Sequence, residues 1–243
     1  MKRKDILYAV LGGFFLTNAL LAEMIGGKLI FVGPPDWKIG PLGPFKMSVG
    51  IIPWPVVFVT TDLVNEYFGR RGVRRLTFLA VGMIAYAFLV LFGTICVPAA
   101  SGPTVQDNEY NRVFGQSLWI IVGSLTAFLI AQFIDVTIFH LFRKRTGRAQ
   151  LWLRATGSTV FSQLIDTVIV LYIGLALPLN WSTGEFLSTA APNYTVKLAV
   201  ALLMTPLIYL GHWAVERFLG KTVADQLADE AAADWPADRT PPG

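Results

Sequence analysis

Three apolar segments of the sequence each carry a carboxylate with polar neighbours three or four residues away. The groups are Asp62 with Asn65 and Glu66, Gln132 with Asp135, and Ser162 and Gln163 with Asp166. On a helix, residues at these spacings share one face. Carboxylates accept hydrogen bonds, whereas amides both donate and accept them. Such faces therefore indicate a site that binds a small polar solute or carries a proton.

These side chains lie far from the ends of the apolar segments that contain them. Asp62 is seven residues, Asp135 eight and Asp166 twelve from the basic end of its segment. At 1.5 Å per residue, these spacings correspond to depths of about 10, 12 and 18 Å. An ionisable group at such a depth in a bilayer costs about 2.5–3.5 kcal/mol. The three faces should therefore line a bundle interior or a water-filled cavity. Alternatively, the carboxylates only hold helices together by hydrogen bonds.

The composition of the chain indicates a membrane protein. Of its 243 residues, 54% are hydrophobic and 15% charged, with a mean hydropathy of +0.55, whereas soluble chains have about 25% charged residues. Six apolar runs are long enough to cross a bilayer, at about 5–31, 48–68, 76–97, 117–142, 154–178 and 192–217. We predict an all-α, polytopic bundle of six transmembrane helices over residues 1–221. The Ala-, Asp- and Pro-rich tail, 222–243, is predicted to be a disordered cytoplasmic segment.

Basic residues alternate between rich and poor connections along the chain. The N-terminus, the second and fourth loops and the C-terminal end are rich in Lys and Arg, whereas the other three connections hold few. The positive-inside rule then places both termini in the cytoplasm of a cell whose inner membrane the chain crosses. The first apolar run is too long for a cleaved signal peptide, so we interpret it as a retained helix.

Other polar residues have more ordinary interpretations. Glu66 could pair with Arg70 or Arg74 near the inner interface. Lys28 and Lys197 should extend to the outer interface as anchors, and a role in a gate is the alternative for both lysines. His140 and His212 lie near the cytoplasmic edge, and the lone Cys96 excludes an intrachain disulfide. Gln132 to Asp135 and Gln163 to Asp166 form a short repeat, Gln-x-Ile-Asp, on helices of opposite orientation. Inverted repeats of this kind are common in carriers, although four residues can also coincide by chance.

Three other functional classes are alternatives to a carrier. An intramembrane protease would need His-Glu-x-x-His, Gly-x-Gly-Asp or a serine motif with a deep histidine, and the sequence has none of these. The chain could instead be the substrate-binding subunit of an energised importer, or a channel. We predict no enzyme activity, metal or cofactor and no nucleic-acid partner. The partners are a small solute and the lipid bilayer, and such a small bundle could form a homodimer.

Several segments resemble the queuosine precursor transporters, also described as a vitamin uptake family. They are Pro53-Trp54-Pro55 through Asp62, Glu66 and Gly69 followed by Arg74-Arg75, Gln132-Phe-Ile-Asp135 through His140, Leu151-Trp152-Leu153-Arg154, and Ser162-Gln163-Leu164-Ile165-Asp166-Thr167. The stretch from Asn18 to Lys28 is also similar to the first helix of the family. The resemblance covers roughly residues 5–218 and departs in the loops, notably 33–44, and in the tail.

The resemblance implies uptake of 7-deazaguanines such as 7-cyano-7-deazaguanine or its aminomethyl form. A carboxylate can accept the two N–H groups of a guanine-like edge, and amides can donate to its carbonyl oxygen. We expect Gln132, Asp135, Gln163 and Asp166 to form the core of the site. Asp62, Glu66, Asn18 and Ser162 should contribute to binding or gating. Phe58, Tyr67, Phe133 or Trp54 could stack on the ring. The energy source stays open between proton coupling through the aspartates and facilitated diffusion.

Overall fold

The computed structural model describes residues 2–39, 44–102, 104–115, 118–146 and 151–233, and these are almost entirely helical. The α-helices are α1 (Arg3–Ile25), α2 (Trp54–Ile95), α3 (Asp107–Phe114), α4 (Leu118–Thr146), α5 (Leu151–Leu171), α6 (Leu177–Leu179), α7 (Thr183–Leu203), α8 (Thr205–Leu219) and α9 (Lys221–Ala233). Strands β1 (Leu29–Phe31) and β2 (Lys46–Ser48) form one antiparallel hairpin. The predicted all-α membrane fold is confirmed.

Five helical stretches among the described residues are long and apolar enough to cross a membrane. They are Arg3–Ile25, Val49–Ile95, Asp107–Thr146, Ala155–Leu179 and Thr183–Leu219. The second contains 47 residues and would be about 70 Å long if straight, more than twice the thickness of a hydrocarbon core. A break inside it divides it into two crossings, which gives six crossings among the residues that the structure describes.

That break lies at Gly69, where the chain folds back on itself. Gly69 has φ 64° and ψ −170°, a combination that essentially only glycine adopts. A Cβ placed on Gly72 would lie 3.3 Å from the Val64 side chain, eight residues earlier. In a continuous helix these positions are about 12 Å apart along the axis. The two halves of α2 are therefore antiparallel neighbours, joined by one residue instead of the predicted loop between 68 and 76.

Helix ends elsewhere differ from the sequence-based bounds for local reasons. The predicted start of the second span at residue 48 falls in β2, and α2 begins only at Trp54 because Pro53 and Pro55 occupy its first positions, where a missing N–H costs nothing. α1 ends at Ile25, before the hairpin. The predicted start of the fourth span, residue 117, lies outside the described residues.

The two faces of the bundle are distinguished by their connections. The Gly69 reversal carries Arg70, Arg71, Arg74 and Arg75 and lies on the same face as the N-terminus, because the Tyr8 hydroxyl near the start of α1 donates to the Gly72 carbonyl at 2.9 Å. On this face the Arg3 side chain also donates to the Phe218 carbonyl near the end of α8. We call this the basic face. The β1–β2 hairpin lies at the opposite end of α1, on what we call the hairpin face.

Helices α4 and α5 are antiparallel and in close contact. A Cβ on Gly123 of α4 would lie 2.9 Å from the nitrogen of Gly174, which belongs to the π-helical turn Tyr172–Ala176 after α5, so only glycine permits this approach. Twelve residues after Gly123 in α4, and twelve residues before Gly174 in α5, the Ser162 hydroxyl donates to Asp135 at 3.1 Å. Gln132 of α4 is therefore at about the same level as Asp166 of α5, and Asp135 at about the level of Gln163.

The tail prediction was wrong for residues 222–233. These residues belong to α9, whose buried positions are Ala224, Leu227, Ala228 and Ala231. The spacing gives one apolar stripe, and Ala231 packs against the reversal, with its carbonyl oxygen 3.1 Å from the position a Cβ on Gly69 would occupy. α9 thus covers the basic face. Residues 234–243, also predicted to be disordered, lie outside the described residues.

Candidate functional site

A pocket lies between the first half of α2, α4 and α5, in the middle of the bundle. It is lined by Trp54, Phe58, Thr61, Asp62, Phe128, Ala131, Gln132, Asp135, Thr159, Ser162, Gln163 and Asp166. The empty space between these residues is about 330 Å³, including the part open to solvent. The enclosed part is narrow, with room for about one water molecule. To admit a flat bicyclic ring, the walls of the pocket would have to move apart by the thickness of an aromatic ring.

Aromatic rings line the end of the pocket nearer the hairpin face. Trp54 and Phe58 stack at 5.7 Å between ring centroids with planes 25° apart, and Phe128 lies 5.8 Å from Trp54. All three come from the hairpin-side halves of α2 and α4. Such rings offer an apolar, polarisable surface to a planar solute.

The polar residues lie deeper and are held by hydroxyl groups. Asp135 and Asp62 are buried, at 6% and 2% exposed. Asp135 accepts a hydrogen bond from Ser162, and the Gln132 amide donates to the Thr61 hydroxyl at 3.4 Å. Carboxylate oxygens accept more than one hydrogen bond each, so the Ser162 contact leaves Asp135 able to accept further donors.

The register of α4 and α5 arranges the repeated residues in two levels. One level holds Gln132 and Asp166, and the other, about 4.5 Å away along the helices, holds Asp135 and Gln163. All four side chains line the same pocket. Each level combines a carboxylate, which accepts hydrogen bonds, with an amide, which also donates them.

Asp166 forms an ion pair with Lys197, a residue that was predicted to lie at the outer interface. The Lys197 ammonium lies 2.6 Å from the Asp166 carboxylate, and both side chains are largely buried. The prediction of Lys197 as an interfacial anchor was therefore wrong. Nearby, Glu23 of α1 accepts a 2.6 Å hydrogen bond from Ser124 and interacts electrostatically with both Asp166 and Lys197.

Below the pocket, towards the basic face, further polar contacts close the bundle. The Arg143 guanidinium lies 3.4 Å from the Glu66 carboxylate and donates both to the Glu66 carbonyl at 3.2 Å and to the Ala228 carbonyl of α9. The Tyr67 hydroxyl lies 2.8 Å from Nδ1 of His212. Both contacts join α2 to other helices at the level between the pocket and the Gly69 reversal.

The structure brings most of the predicted site residues together. Of the nine, those that line the pocket are Phe58, Asp62, Gln132, Asp135, Ser162, Gln163 and Asp166. Two do not: Glu66 lies beside Arg143, and the Asn18 amide donates to the Phe14 carbonyl of its own helix. Their roles in binding or gating stay predictions.

Two of the four suggested stacking residues are elsewhere. Tyr67 contacts His212, and Phe133 packs against Phe78 at 5.8 Å between centroids. Phe128 also lines the pocket, although it was not predicted to do so; it lies seven residues before Asp135 and therefore on the same helical face. Thr61, Ala131 and Thr159 line the wall as well and were not among the predicted site residues. Across the described ranges, no cluster of three or more His, Cys, Asp or Glu side chains is arranged to hold a metal ion.

A family model described as "Putative vitamin uptake transporter" matches residues 48–211 of the chain. The match covers about two thirds of the sequence and includes every residue that lines the pocket. The chain belongs to this family. It is a multi-pass membrane transporter and not an enzyme.

Curated relatives support the same assignment. A Bacillus subtilis protein named "Probable queuosine precursor transporter" is 30% identical over 67% of this chain and 70% of its own length. Proteins from Haemophilus influenzae, with the same name, and from Escherichia coli, named "Queuosine precursor transporter", are 25% and 23% identical. The matches cover 51% and 65% of this chain and 50% and 69% of those proteins. No solved structure matches the chain.

Proposed function

We propose that this protein imports a queuosine precursor into the cytoplasm, with a 7-deazaguanine base as the substrate. 7-Cyano-7-deazaguanine and its aminomethyl form are the candidates. The proposal is supported by the names of the relatives and by the paired carboxylates and amides that line one pocket in the middle of the bundle. The energy source, proton coupling or facilitated diffusion, is not part of the proposal.

The chemistry of a guanine-like edge suits either level of the pocket. Its N1–H and exocyclic amine are adjacent donors, which one carboxylate can accept as a pair, and its carbonyl oxygen accepts from a neighbouring amide. Asp135 with Gln163, or Asp166 with Gln132, offers that combination. The ring itself would lie towards Trp54, Phe58 and Phe128, which supply apolar stacking surfaces.

The orientation of the carrier in the membrane is inferred from the charge distribution. The basic face carries the clusters of Lys and Arg, and cytoplasmic loops are enriched in these residues. We therefore place the basic face in the cytoplasm, together with both ends of the described chain. The aromatic end of the pocket then faces outwards. The Glu66–Arg143 contacts and α9 form the barrier on the cytoplasmic side.

Binding can be tested with the purified protein in detergent. A thermal-shift screen of free bases, nucleosides and vitamins should show stabilisation confined to 7-deazaguanines. Asp135→Asn and Asp166→Asn should each weaken that stabilisation at a fixed concentration of base, because the amide replaces one of the two acceptor oxygens by a donor. Stabilisation by unrelated vitamins, or an undiminished shift in both variants, would contradict the proposal.

Transport can be tested in proteoliposomes that contain only this protein. Saturable uptake of 7-cyano-7-deazaguanine would favour a self-sufficient carrier. Binding without uptake, together with co-purification of an ATPase, would favour the substrate-binding subunit of an energised importer. Uptake that does not saturate would indicate a channel.

A further inference from the structure

We propose that Lys197 neutralises Asp166 in the empty carrier and that a bound base displaces Lys197 from this carboxylate. By neutralising Asp166, Lys197 permits the empty carrier to reorient in the membrane. The inference rests on the proposed function, because it assigns the return step of that carrier to one residue. Lys197 would act through Asp166 and would not contact the substrate.

The geometry places this ion pair in the wall of the pocket. Asp166 lines the pocket, whereas Lys197, which reaches it from α7, is not among the lining residues. The ammonium is 2.6 Å from the carboxylate, and the side chains are only 17% and 14% exposed. Asp166 is thus approached by the lysine from one side and is open to the pocket on the other.

The Lys197 ammonium and the N–H groups of a bound base compete for the Asp166 carboxylate. An ionised carboxylate buried without a partner is strongly unfavourable, so Asp166 needs a donor in every state of the carrier. In the empty state Lys197 supplies it. In the loaded state the adjacent N–H groups of a guanine-like edge can supply it instead, because they form the same kind of hydrogen bonds to the carboxylate.

A second carboxylate, that of Glu23, can stabilise the charge of Lys197 after the base has displaced the lysine from Asp166. Glu23 interacts electrostatically with both members of the pair and is held in place by the Ser124 hydroxyl. When the base engages Asp166, Lys197 stays in the field of Glu23 and does not become an isolated buried cation. The lysine therefore interacts with two carboxylates, which come from different helices, α1 and α5.

This arrangement separates two modes of transport. Net uptake requires the carrier to reorient once loaded and once empty, whereas exchange of internal for external base requires only the loaded step. Without Lys197, the empty carrier must reorient with an uncompensated Asp166. The loaded carrier keeps its donors from the base. Loss of the lysine should therefore slow net uptake and spare exchange.

The test uses the full chain in proteoliposomes with radiolabelled 7-cyano-7-deazaguanine. Net uptake is measured into empty vesicles, and exchange into vesicles preloaded with the unlabelled base. For Lys197→Gln we expect net uptake to fall at least about tenfold while exchange stays within about threefold of the unsubstituted protein. The double variant Asp166→Asn/Lys197→Gln, which removes both charges, should restore the ratio of net uptake to exchange at saturating base.

Lys38→Gln is the matched control, because it makes the same change at an exposed lysine in the connection between β1 and β2, and both rates should be unchanged. Retained exchange shows that Lys197→Gln folds. Equal loss of both rates in Lys197→Gln, or no loss of either, would overturn the inference while leaving the proposed function intact. Absence of both exchange and net uptake in the unsubstituted protein would overturn both.

Discussion

Asp135 shows how a hydroxyl group can orient a carboxylate in the middle of a membrane protein. Ser162 donates to one of its oxygens at 3.1 Å, and this contact bridges α4 and α5 at the level of the pocket. The hydrogen bond fixes the direction in which the carboxylate faces. We expect Ser162 to affect substrate affinity through Asp135, while the rate of reorientation depends on other contacts.

The first prediction concerns this hydrogen bond. Ser162→Ala should raise the KM for 7-deazaguanine uptake about fivefold and leave the maximal rate nearly unchanged, since one hydrogen bond contributes about 1 kcal/mol. Saturation curves of uptake in proteoliposomes measure both constants. Ser188→Ala, at an exposed serine whose hydroxyl donates to the Glu185 carbonyl, is the control. A lower maximal rate with unchanged KM in Ser162→Ala would contradict the prediction.

The residues of the pocket could be predicted from their spacing in the sequence, whereas the depth of Lys197 in the membrane could not. The i+3 and i+4 spacing put Gln132 and Asp135 on one face whatever the helix bounds were. The depth of Lys197, in contrast, depends on where its helix begins. A start at 192 leaves it near the interface, but α7 begins at Thr183. Lys197 is fourteen residues into the helix, about 21 Å along its axis.

At the scale of single elements, α2 depends on one residue for its change of direction. Gly69 is the point where two membrane crossings meet, and α9 packs directly against it. A side chain there would need an unfavourable backbone conformation and would also press on the Ala231 carbonyl, 3.1 Å away. The backbone conformation and the contact with the Ala231 carbonyl would therefore both disfavour a side chain at residue 69.

The second prediction tests this position. Gly69→Ala should destabilise the protein by about 1–2 kcal/mol, which lowers Tm by about 3–6 °C for a chain of this size. Gly82→Ala is the matched control in the second half of α2, where a Cβ meets nothing within 4 Å. It should raise Tm slightly, because alanine is the better helix former. Thermal unfolding in detergent measures both, and equal shifts would contradict the prediction.

The spacing of apolar residues in the sequence is that of a helix over α9, but the high alanine content makes this pattern difficult to recognise. Ala224, Leu227, Ala228 and Ala231 recur at the spacing of one helical stripe, which is typical of a helix that packs on a surface. Alanine contributes little apolar area, so the stripe is hard to distinguish from a polar tail. The helix is fixed by tertiary contacts, including the hydrogen bond from Arg143, and these are not readable from local sequence.

At the scale of the whole molecule, the six crossings place alternate connections on opposite faces. The basic connections, including the N-terminus and the Gly69 reversal, meet on one face, in agreement with the alternation of Lys and Arg along the sequence. This alternation predicted the number of crossings well, because each crossing changes the side and no local detail is needed. The orientation relative to the cell is still a prediction.

The third prediction tests that orientation with the only cysteine of the chain. Cys96 ends the second half of α2, on the face opposite the Gly69 reversal, and is exposed. A membrane-impermeant maleimide should therefore label it in intact spheroplasts as fully as in lysed ones. Arg75→Cys in a Cys96→Ser background, on the basic face, should be labelled only after lysis. The reverse pattern would place the basic face outside.

The position of α9 has a consequence for biosynthesis. Its contacts with Gly69 and Arg143 connect the last described helix to the second and fourth crossings. α9 must therefore be synthesised before these contacts on the basic face can form. We expect a premature stop codon before α9 to yield a bundle whose basic face lacks this cover and is therefore more permeable to small solutes.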